Sequence, residues 1–419
     1  MKKNVYEINV CNYFNLDLSM LKLIHTSDWH LGQNFYGYDR SEELKDFLDQ
    51  LTDIVRKHTP DALLVSGDIF HTPAPSSAAV NLYVNAMLDI LKACPTMVIV
   101  VIAGNHDSSS RLDSDRRLWQ LAGVRVLGGI ARDKDGRADL GHHVIKIDGK
   151  GVVAAVPFAY PASFPLPAGA DNLGRNERQQ AYFQALLDHA ATQAGEGLPV
   201  VLMAHLAIAD SDFEGHDRDM KMECVDLATL GTGYDYVALG HIHRPQDVSE
   251  RVRYCGTPVP VSFDEQCEHS VSIVEIDCHG ALPRVETKVI KNVKPLHTLP
   301  AHEPVDFEAA LQLLQGLNPN DRSYIRLNVK VDQFLPSGAQ EQAAQTVKDK
   351  QCRFCEIKKT ATVTTARSSA TMTVEEFNRK TPLDIANQYF IDKYGQPMDE
   401  QQQEMFNDIY QLVKEEHRK

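Results

Sequence analysis

Five short apolar segments, each followed at once by a residue that can bind a metal ion, constrain this chain more than any other feature. They begin at Leu21, Ala62, Val98, Val200 and Tyr236, and each runs into Asp, Asn or His. Apolar segments of this length, separated by helical periodicity, predict an α/β fold with layered sheets. Because ligands bind beyond the carboxyl ends of strands in open α/β sheets, the polar ends are expected to meet at one rim.

The same periodicity divides the chain into domains. We predict a layered α/β domain, with β-sheets flanked by helices, over residues 21–280, including a clear helix over Asp46–Lys57. Residues 281–365, with several prolines at their start and a predicted strand over Tyr324–Val331, are expected to form a smaller α+β accessory domain. Residues 1–20 are interpreted as an N-terminal extension, either a start-site artefact or a disordered tail.

Residues 366–419 have apolar residues at helical spacing and predict two amphipathic helices. Thr381 is expected to cap the first, with Pro382 in its first turn and Gly395 near its end. The second contains Met405, Phe406, Ile409, Leu412 and Val413. Two interpretations stay open: the pair docks on the coiled coil of a partner, or both helices pack on the accessory domain.

Composition excludes several classes of protein. Hydrophobic residues make up 43% of the chain, yet no apolar stretch approaches the roughly 18 residues that a membrane span needs. The first residues lack the apolar core of a signal peptide, and the eight cysteines form no disulfide framework. We therefore expect a cytoplasmic protein with no membrane partner.

The close pair Cys352 and Cys355 is interpreted as structural, since a zinc site would need a second pair.

The net charge of −14 argues against binding of nucleic acid through the overall field of the protein. A polyanionic partner would have to be held by metal ions, by a local basic patch or by another subunit. Basic residues do cluster at Arg111, Arg116 and Arg117 and again over residues 348–359. Most such clusters are solvated faces, so they are weak evidence alone.

The polar residues at the strand ends form a mixed set of imidazole, carboxylate and amide ligands. Such a set suits manganese, iron or zinc, whereas magnesium and calcium prefer oxygen ligands alone. Seven ligands are too many for one ion and suffice for two if one carboxylate bridges, for which Asp68 on a central strand is the natural candidate. The predicted ligands are Asp28, His30, Asp68, Asn105, His205, His241 and His243.

Local spacing supports this interpretation. Asp28 and His30 have one residue between them, as do His241 and His243, so alternation along a strand would place each pair on one side. Glycines directly precede three of the ligands, where the backbone is expected to come close to the ions.

Three further residues have candidate roles in catalysis. His106 is better used as a proton donor to the leaving oxygen, or as a transition-state contact, than as a further ligand. Asp107 could orient that imidazole, or it could cap a helix or be a surface carboxylate. His71 could touch the substrate backbone or simply lie in a surface loop.

The order and spacing of these clusters resemble the calcineurin-like metallophosphoesterases over most of residues 21–280. Within that superfamily, the segments 26–32 (Thr-Ser-Asp-Trp-His-Leu-Gly), 66–71 (Ser-Gly-Asp-Ile-Phe-His) and 240–243 (Gly-His-Ile-His) are similar to the bacterial SbcD nucleases. Residues 254–258 (Tyr-Cys-Gly-Thr-Pro) and 262–265 (Ser-Phe-Asp-Glu) are similar too, whereas the C-terminal region matches no motif.

The resemblance implies a set of roles. One ion would be held by Asp28, His30, Asp68 and His243, the other by Asp68, Asn105, His205 and His241, with His106 as the catalytic histidine. Manganese would be preferred, with magnesium, iron or zinc as alternatives. The implied function is cleavage of DNA ends and hairpins in repair and recombination, in a heterotetramer with a coiled-coil ATPase, SbcC. A phosphoesterase acting on a small phosphodiester or a phosphoprotein, and a scaffold that does not cut DNA, stay open as alternatives.

Overall fold

The computed structural model describes residues 20–167, 173–213, 224–331, 334–361, 382–394, 397–399, 402–403, 405–406 and 410. The chain divides into two compact units, Met1–Thr360 and Ala361–Lys419.

Strands and helices alternate through most of the first unit. In chain order the strands are β1 (Leu21–Thr26), β2 (Asn34–Phe35), β3 (Tyr38–Asp39), β4 (Ala62–Ser66), β5 (Val98–Ile102), β6 (Val124–Leu127), β7 (Val144–Ile147), β8 (Gly151–Val156), β9 (Val200–His205), β10 (Tyr236–Gly240), β11 (Gln246–Ser249), β12 (Val252–Tyr254), β13 (Ser270–Ile276), β14 (Arg284–Val289), β15 (Leu296–Leu299), β16 (Tyr324–Val331) and β17 (Arg353–Ala361). The α-helices are α1 (Ser41–His58), α2 (Ser77–Ala93), α3 (Ser109–Ser114), α4 (Arg116–Leu121), α5 (Arg175–Ala194), α6 (Phe307–Gly316), α7 (Ala339–Thr346) and α8 (Pro382–Tyr394), the last lying in the second unit. Short 3-10 helices cover Leu140–His143, Pro161–Ser163 and Leu227–Leu230.

Two six-stranded sheets carry the five predicted strands, all of which are confirmed. The first has the order β14-β13-β1-β4-β5-β6 and the second β11-β12-β10-β9-β8-β7. Strands β1, β4 and β5 run parallel in the first sheet, as do β9 and β10 in the second. The expected rim is therefore built from two sheets, and the ends of β4 and β9 meet where His205 Nδ1 donates to the carbonyl of Ser66 at 2.8 Å.

Every strand at the centre is buried on both faces, because each sheet packs against the other sheet on one side and against helices on the other. Leu23 of β1 packs with Val201 of β9 between the sheets. The next residue, Ile24, points to the opposite face and packs with Phe47 of α1. Leu186 of α5 covers the outer face of the second sheet. The layers therefore follow the order helix, sheet, sheet, helix, and the predicted layered α/β fold is confirmed.

The accessory domain is a three-stranded sheet, β15-β16-β17, with α6 and α7. The predicted strand over Tyr324–Val331 is confirmed as β16. Cys352 is buried in the core of this domain, and Cys355 is partly buried beside it. Among the described residues, no cluster of three or more metal-binding side chains includes either cysteine. The predicted domain limits stay a prediction, although β14 extends the first sheet to Val289, beyond residue 280.

In the second unit, α8 begins at Pro382 as predicted. Thr381, Gly395 and most of the predicted second helix lie outside the described residues. The described part of this unit forms an apolar groove of about 610 Å³, lined by Pro382, Ala386, Tyr389, Phe390, Met398 and Phe406. No helix in the described parts of the chain has the length and apolar character needed to cross a membrane.

Candidate metal centre

Four of the predicted ligands lie in an unusual backbone conformation just beyond the strands. The φ angles of Asp28, His30, Asp68 and His241 are 54°, 46°, 51° and 101°. Residues with a side chain rarely adopt positive φ, and such strained conformations cluster at functional sites where the surroundings hold them in place. Tight turns, rather than alternation along a strand, thus place Asp28 and His30 on the same side.

Two glycines allow these turns to approach one another. A Cβ atom on Gly104 would lie 2.1 Å from Asp68 Oδ1, and one on Gly240 would lie 1.9 Å from the carbonyl oxygen of Ser66. Both distances are far below van der Waals contact, so a side chain at either position would displace the site. The atoms approached belong to the ligand loops themselves, and the expected approach of the backbone to the ions stays a prediction.

His30 and His243 form the first cluster of donors. Their Nε2 atoms are 3.3 Å apart, and one donor atom each from Asp28, His30 and His243 lies within 4.8 Å of the others. The Nδ1 of His243 donates to Glu265 Oε1 at 3.0 Å, which directs the Nε2 lone pair at His30. The Nδ1 of His30 is buried without a hydrogen-bond partner among the described residues. A cation between the two imidazoles would bind the two Nε2 atoms, which face each other.

His205, Asn105 and His241 form the second cluster. Because His205 Nδ1 donates to a backbone carbonyl, its Nε2 lone pair faces the cluster. That atom lies 3.0 Å from Asn105 Oδ1 and 3.3 Å from His241 Nδ1. Asn105 Oδ1 is in turn 2.8 Å from His241 Nδ1. Oxygen and nitrogen donors therefore converge here as well.

Asp68 lies between the two clusters. Its Oδ2 is 3.8 Å from Nε2 of His30, and its Oδ1 is 3.6 Å from Nε2 of His205. Oδ1 also accepts a hydrogen bond from the backbone N–H of His106 at 2.9 Å. Each carboxylate oxygen thus faces a different histidine, which is the arrangement that a bridging ligand requires.

Without a metal ion, burial shifts the pKa values of the acidic and imidazole groups at this site toward their uncharged forms. Burial, and secondly the charge of Asp68, raises the pKa of Asp28 well above its usual value, and burial raises the pKa of Asp68 to about 6. Burial lowers the pKa of His205 to about 3 and, together with neighbouring histidines, lowers the pKa of His30 strongly. Neutral imidazoles can bind metal ions, and divalent cations would compensate the two buried carboxylates. The donors therefore fit metal ions.

His71 and His106 lie beside the first cluster, with their rings stacked at 5.7 Å. The Nδ1 of His106 donates to the backbone carbonyl of His71 at 2.9 Å. Asp107, expected to orient that ring or cap a helix, does neither. Its carboxylate instead accepts hydrogen bonds from the backbone N–H groups of Ile69, Phe70 and Gly104, at 2.8–3.1 Å. These bonds join the loops after β4 and β5.

Glu265 contacts a candidate ligand at this site, although sequence reasoning assigned it no role. It lies in the loop between β12 and β13, 8% exposed, and contacts His243. It does not follow a predicted strand and has no regular spacing from a ligand, so only its place in a segment similar to known nucleases singled it out.

The helix–sheet–sheet–helix layers fit the fold of a metallophosphoesterase. The two donor clusters around one carboxylate fit the dinuclear metal centre of that class. The family model for calcineurin-like phosphoesterases matches residues 21–245. The SbcD subunit of the SbcCD nuclease of Escherichia coli (strain K12) is 30% identical over 331 residues, covering 75% of this chain and 79% of the relative. The same protein of Rhodobacter capsulatus is 33% identical over 317 residues, covering 72% and 77%. The chain therefore belongs to the calcineurin-like phosphoesterases and, within them, to the SbcD family.

Two solved structures also align at low similarity. TT1561 of Thermus thermophilus is 12% identical, with a TM-score of 0.36, and the alignment covers 65% of this chain and 100% of that one. A dimetal phosphatase from Danio rerio is 11% identical, with a TM-score of 0.35, covering 64% and 98%.

Proposed function

We propose that this chain is a two-metal DNA nuclease, acting on double-stranded ends, hairpins and single strands beside a coiled-coil ATPase of the SbcC type. The observation that carries the proposal is the position of Asp68 between two clusters of nitrogen and oxygen donors. Membership of the SbcD family, whose relatives are named as nuclease subunits, supports DNA as the substrate. The roles in repair and recombination are part of the same proposal.

Seven side chains would hold the two ions. Manganese is proposed from the resemblance to the SbcD nucleases, and the mixed imidazole, carboxylate and amide donors suit it, as they suit iron or zinc. The proposed ligands are Asp28, His30, Asp68 and His243 for one ion and Asp68, Asn105, His205 and His241 for the other. When bound, such a pair of ions supplies charge neutralisation at the phosphate and a water of lowered pKa.

The protein's own groups then position the substrate and move a proton. His106 is half-buried, and its bond to the His71 carbonyl fixes the ring and its tautomer. As an imidazolium, with a proton on both ring nitrogens, His106 would keep this bond through Nδ1 and donate its Nε2 proton to the leaving oxygen, or contact the transition state. His71 is proposed to contact the substrate backbone. Asp107 would act indirectly, by fixing the loop that carries Asn105 and His106.

The substrate class can be tested by comparing two substrates with the same enzyme. With manganese present, we expect cleavage of a labelled DNA hairpin to exceed turnover of bis-p-nitrophenyl phosphate, each measured as kcat/KM. The reason is that a duplex can contact the protein beyond the reacting phosphate, and remote contacts lower the barrier. Efficient turnover of the small ester without any hairpin cleavage would instead favour a small phosphodiester as substrate.

The second unit is proposed to dock the ATPase subunit. Tyr389 and Met405 are 59% and 61% exposed, and the described apolar groove lies in the same unit. Exposed apolar side chains on an amphipathic helix are typical of helix-in-groove recognition. Self-association of this subunit, giving a heterotetramer with the ATPase, is part of the proposal.

Ending the chain after Lys380 tests this docking. We expect the shortened chain to lose co-purification with an SbcC-type subunit, because α8 and the groove are removed together. Cleavage of bis-p-nitrophenyl phosphate should be retained, since the donors all lie in the first unit, and serves as the control for folding. Full co-purification of the ATPase with the shortened chain would show that docking occurs elsewhere.

A further inference from the structure

We propose that Glu265 is a positioning residue for His243 and that the accessory domain holds Glu265 in place through the neighbouring Asp264. The position of the accessory domain would thereby affect the position of one ligand of the metal centre, His243. This inference rests on the proposed two-metal function and adds residues to which no role has been given.

Glu265 has both carboxylate oxygens engaged in the protein interior. Oε1 accepts the hydrogen bond from His243 Nδ1 at 3.0 Å, and its side chain is 1% exposed. Oε2 accepts from the Thr257 hydroxyl at 3.1 Å and from the backbone N–H of Val261 at 3.2 Å. Because the bonds to Oε2 fix the Glu265 carboxylate, Oε1 orients the imidazole ring of His243 and increases the basicity of its Nε2.

The preceding residue, Asp264, is bound by the accessory domain. Arg326 of β16 donates to Asp264 Oδ1 at 2.8 Å, and its guanidinium lies 5.0 Å from the ring centre of Phe263. Arg326 is 4% exposed and also donates to Thr298 Oγ1 at 3.1 Å. Because this arginine is fixed inside the accessory domain, it fixes the loop that precedes Glu265.

The other end of the same loop is held by Arg40, directly before α1. Its Nη1 donates to the carbonyl of Pro260 at 2.6 Å, and its guanidinium lies 5.6 Å from the ring centre of Tyr324 on β16. The Tyr324 hydroxyl donates to Glu43 of α1 at 2.5 Å. Residues 260–264 are therefore fixed at both ends by groups that join the core to β16, and a shift of β16 would move Glu265 relative to His243.

The test measures Mn²⁺ binding to the full-length protein by calorimetry, with hairpin cleavage as a second readout. For Glu265→Ala we expect affinity at one of the two sites to fall roughly 10- to 100-fold, the usual effect of removing such a partner. Glu265→Gln should lose less, because its amide oxygen can still accept from His243. Asp264→Ala should lose less than Glu265→Ala but more than Glu268→Gln, the matched control on an exposed residue of the same loop.

Two sites of unchanged affinity in both Glu265 variants would overturn the inference, provided that the wild type binds two ions. Unchanged affinity in Asp264→Ala alone would overturn the link to the accessory domain. A wild-type protein that binds no Mn²⁺ would instead overturn the proposed metal centre, and this inference with it. Thermal unfolding of each variant identifies loss of fold, and Asp264→Ala is informative there because Asp264 is 52% exposed.

Discussion

An Asp68→Ala variant is expected to lose both bound metal ions and to cleave DNA at least roughly a thousandfold more slowly than the wild type, since metal ions supply several kcal/mol of transition-state stabilisation. The effect is this large because each carboxylate oxygen of Asp68 faces a histidine of a different cluster, Oδ2 facing His30 and Oδ1 facing His205. Removing it also leaves each cluster with one negative charge fewer. Metal content by mass spectrometry and hairpin cleavage with manganese measure the two losses.

The matched control lies at the opposite end of the same strand. Asp61 precedes β4, and its carboxylate accepts a hydrogen bond from the backbone N–H of Lys22 at 2.8 Å. Asp61→Asn should therefore retain two ions and cleave at a rate close to that of the wild type. Two bound ions and normal cleavage in Asp68→Ala would contradict the assignment of this residue as the bridging ligand.

A His106→Gln variant is expected to cleave about 10²- to 10⁴-fold more slowly while keeping its metal content, since that range is typical for loss of a general acid or base. His106 has a ring fixed by the carbonyl of His71, so glutamine can occupy the space but cannot supply the proton. Single-turnover cleavage, metal content and hairpin binding should be measured on the same preparation.

His297→Gln, an exposed change in the accessory domain, is the control for His106→Gln and should leave cleavage unchanged. If His106→Gln instead loses its metal ions, the residue acts as a ligand. If it retains full cleavage, His106 has no part in the reaction.

Sequence reasoning was most successful where the physics is local. A run such as Val98–Ile102 is apolar throughout because both faces of the strand are buried, and that pattern is visible in one dimension. The candidate ligand residues could be picked out for a related reason, and the structure brings them together. A polar side chain placed directly after a buried strand lies at the rim of the sheet, where ligands bind.

The same reasoning failed where contacts join distant parts of the chain. Asp107 was expected to orient His106, its neighbour in sequence, yet it binds the amides of Ile69 and Phe70 across the site. Alternation along a strand was expected to align Asp28 with His30, whereas turns of positive φ do so. Neither result has a signal in the local sequence.

The sequence by itself determined the strands, the donor types and the number of ions that they suit, because burial and ligand chemistry are properties of each segment. Only the tertiary structure decided that the donors divide between two sheets, that Asp68 lies between the clusters, and that Glu265 contacts His243. The physical reason is that these relations depend on how separate loops pack against one another. Packing is settled by the whole chain at once, whereas a pattern of residues describes one segment at a time.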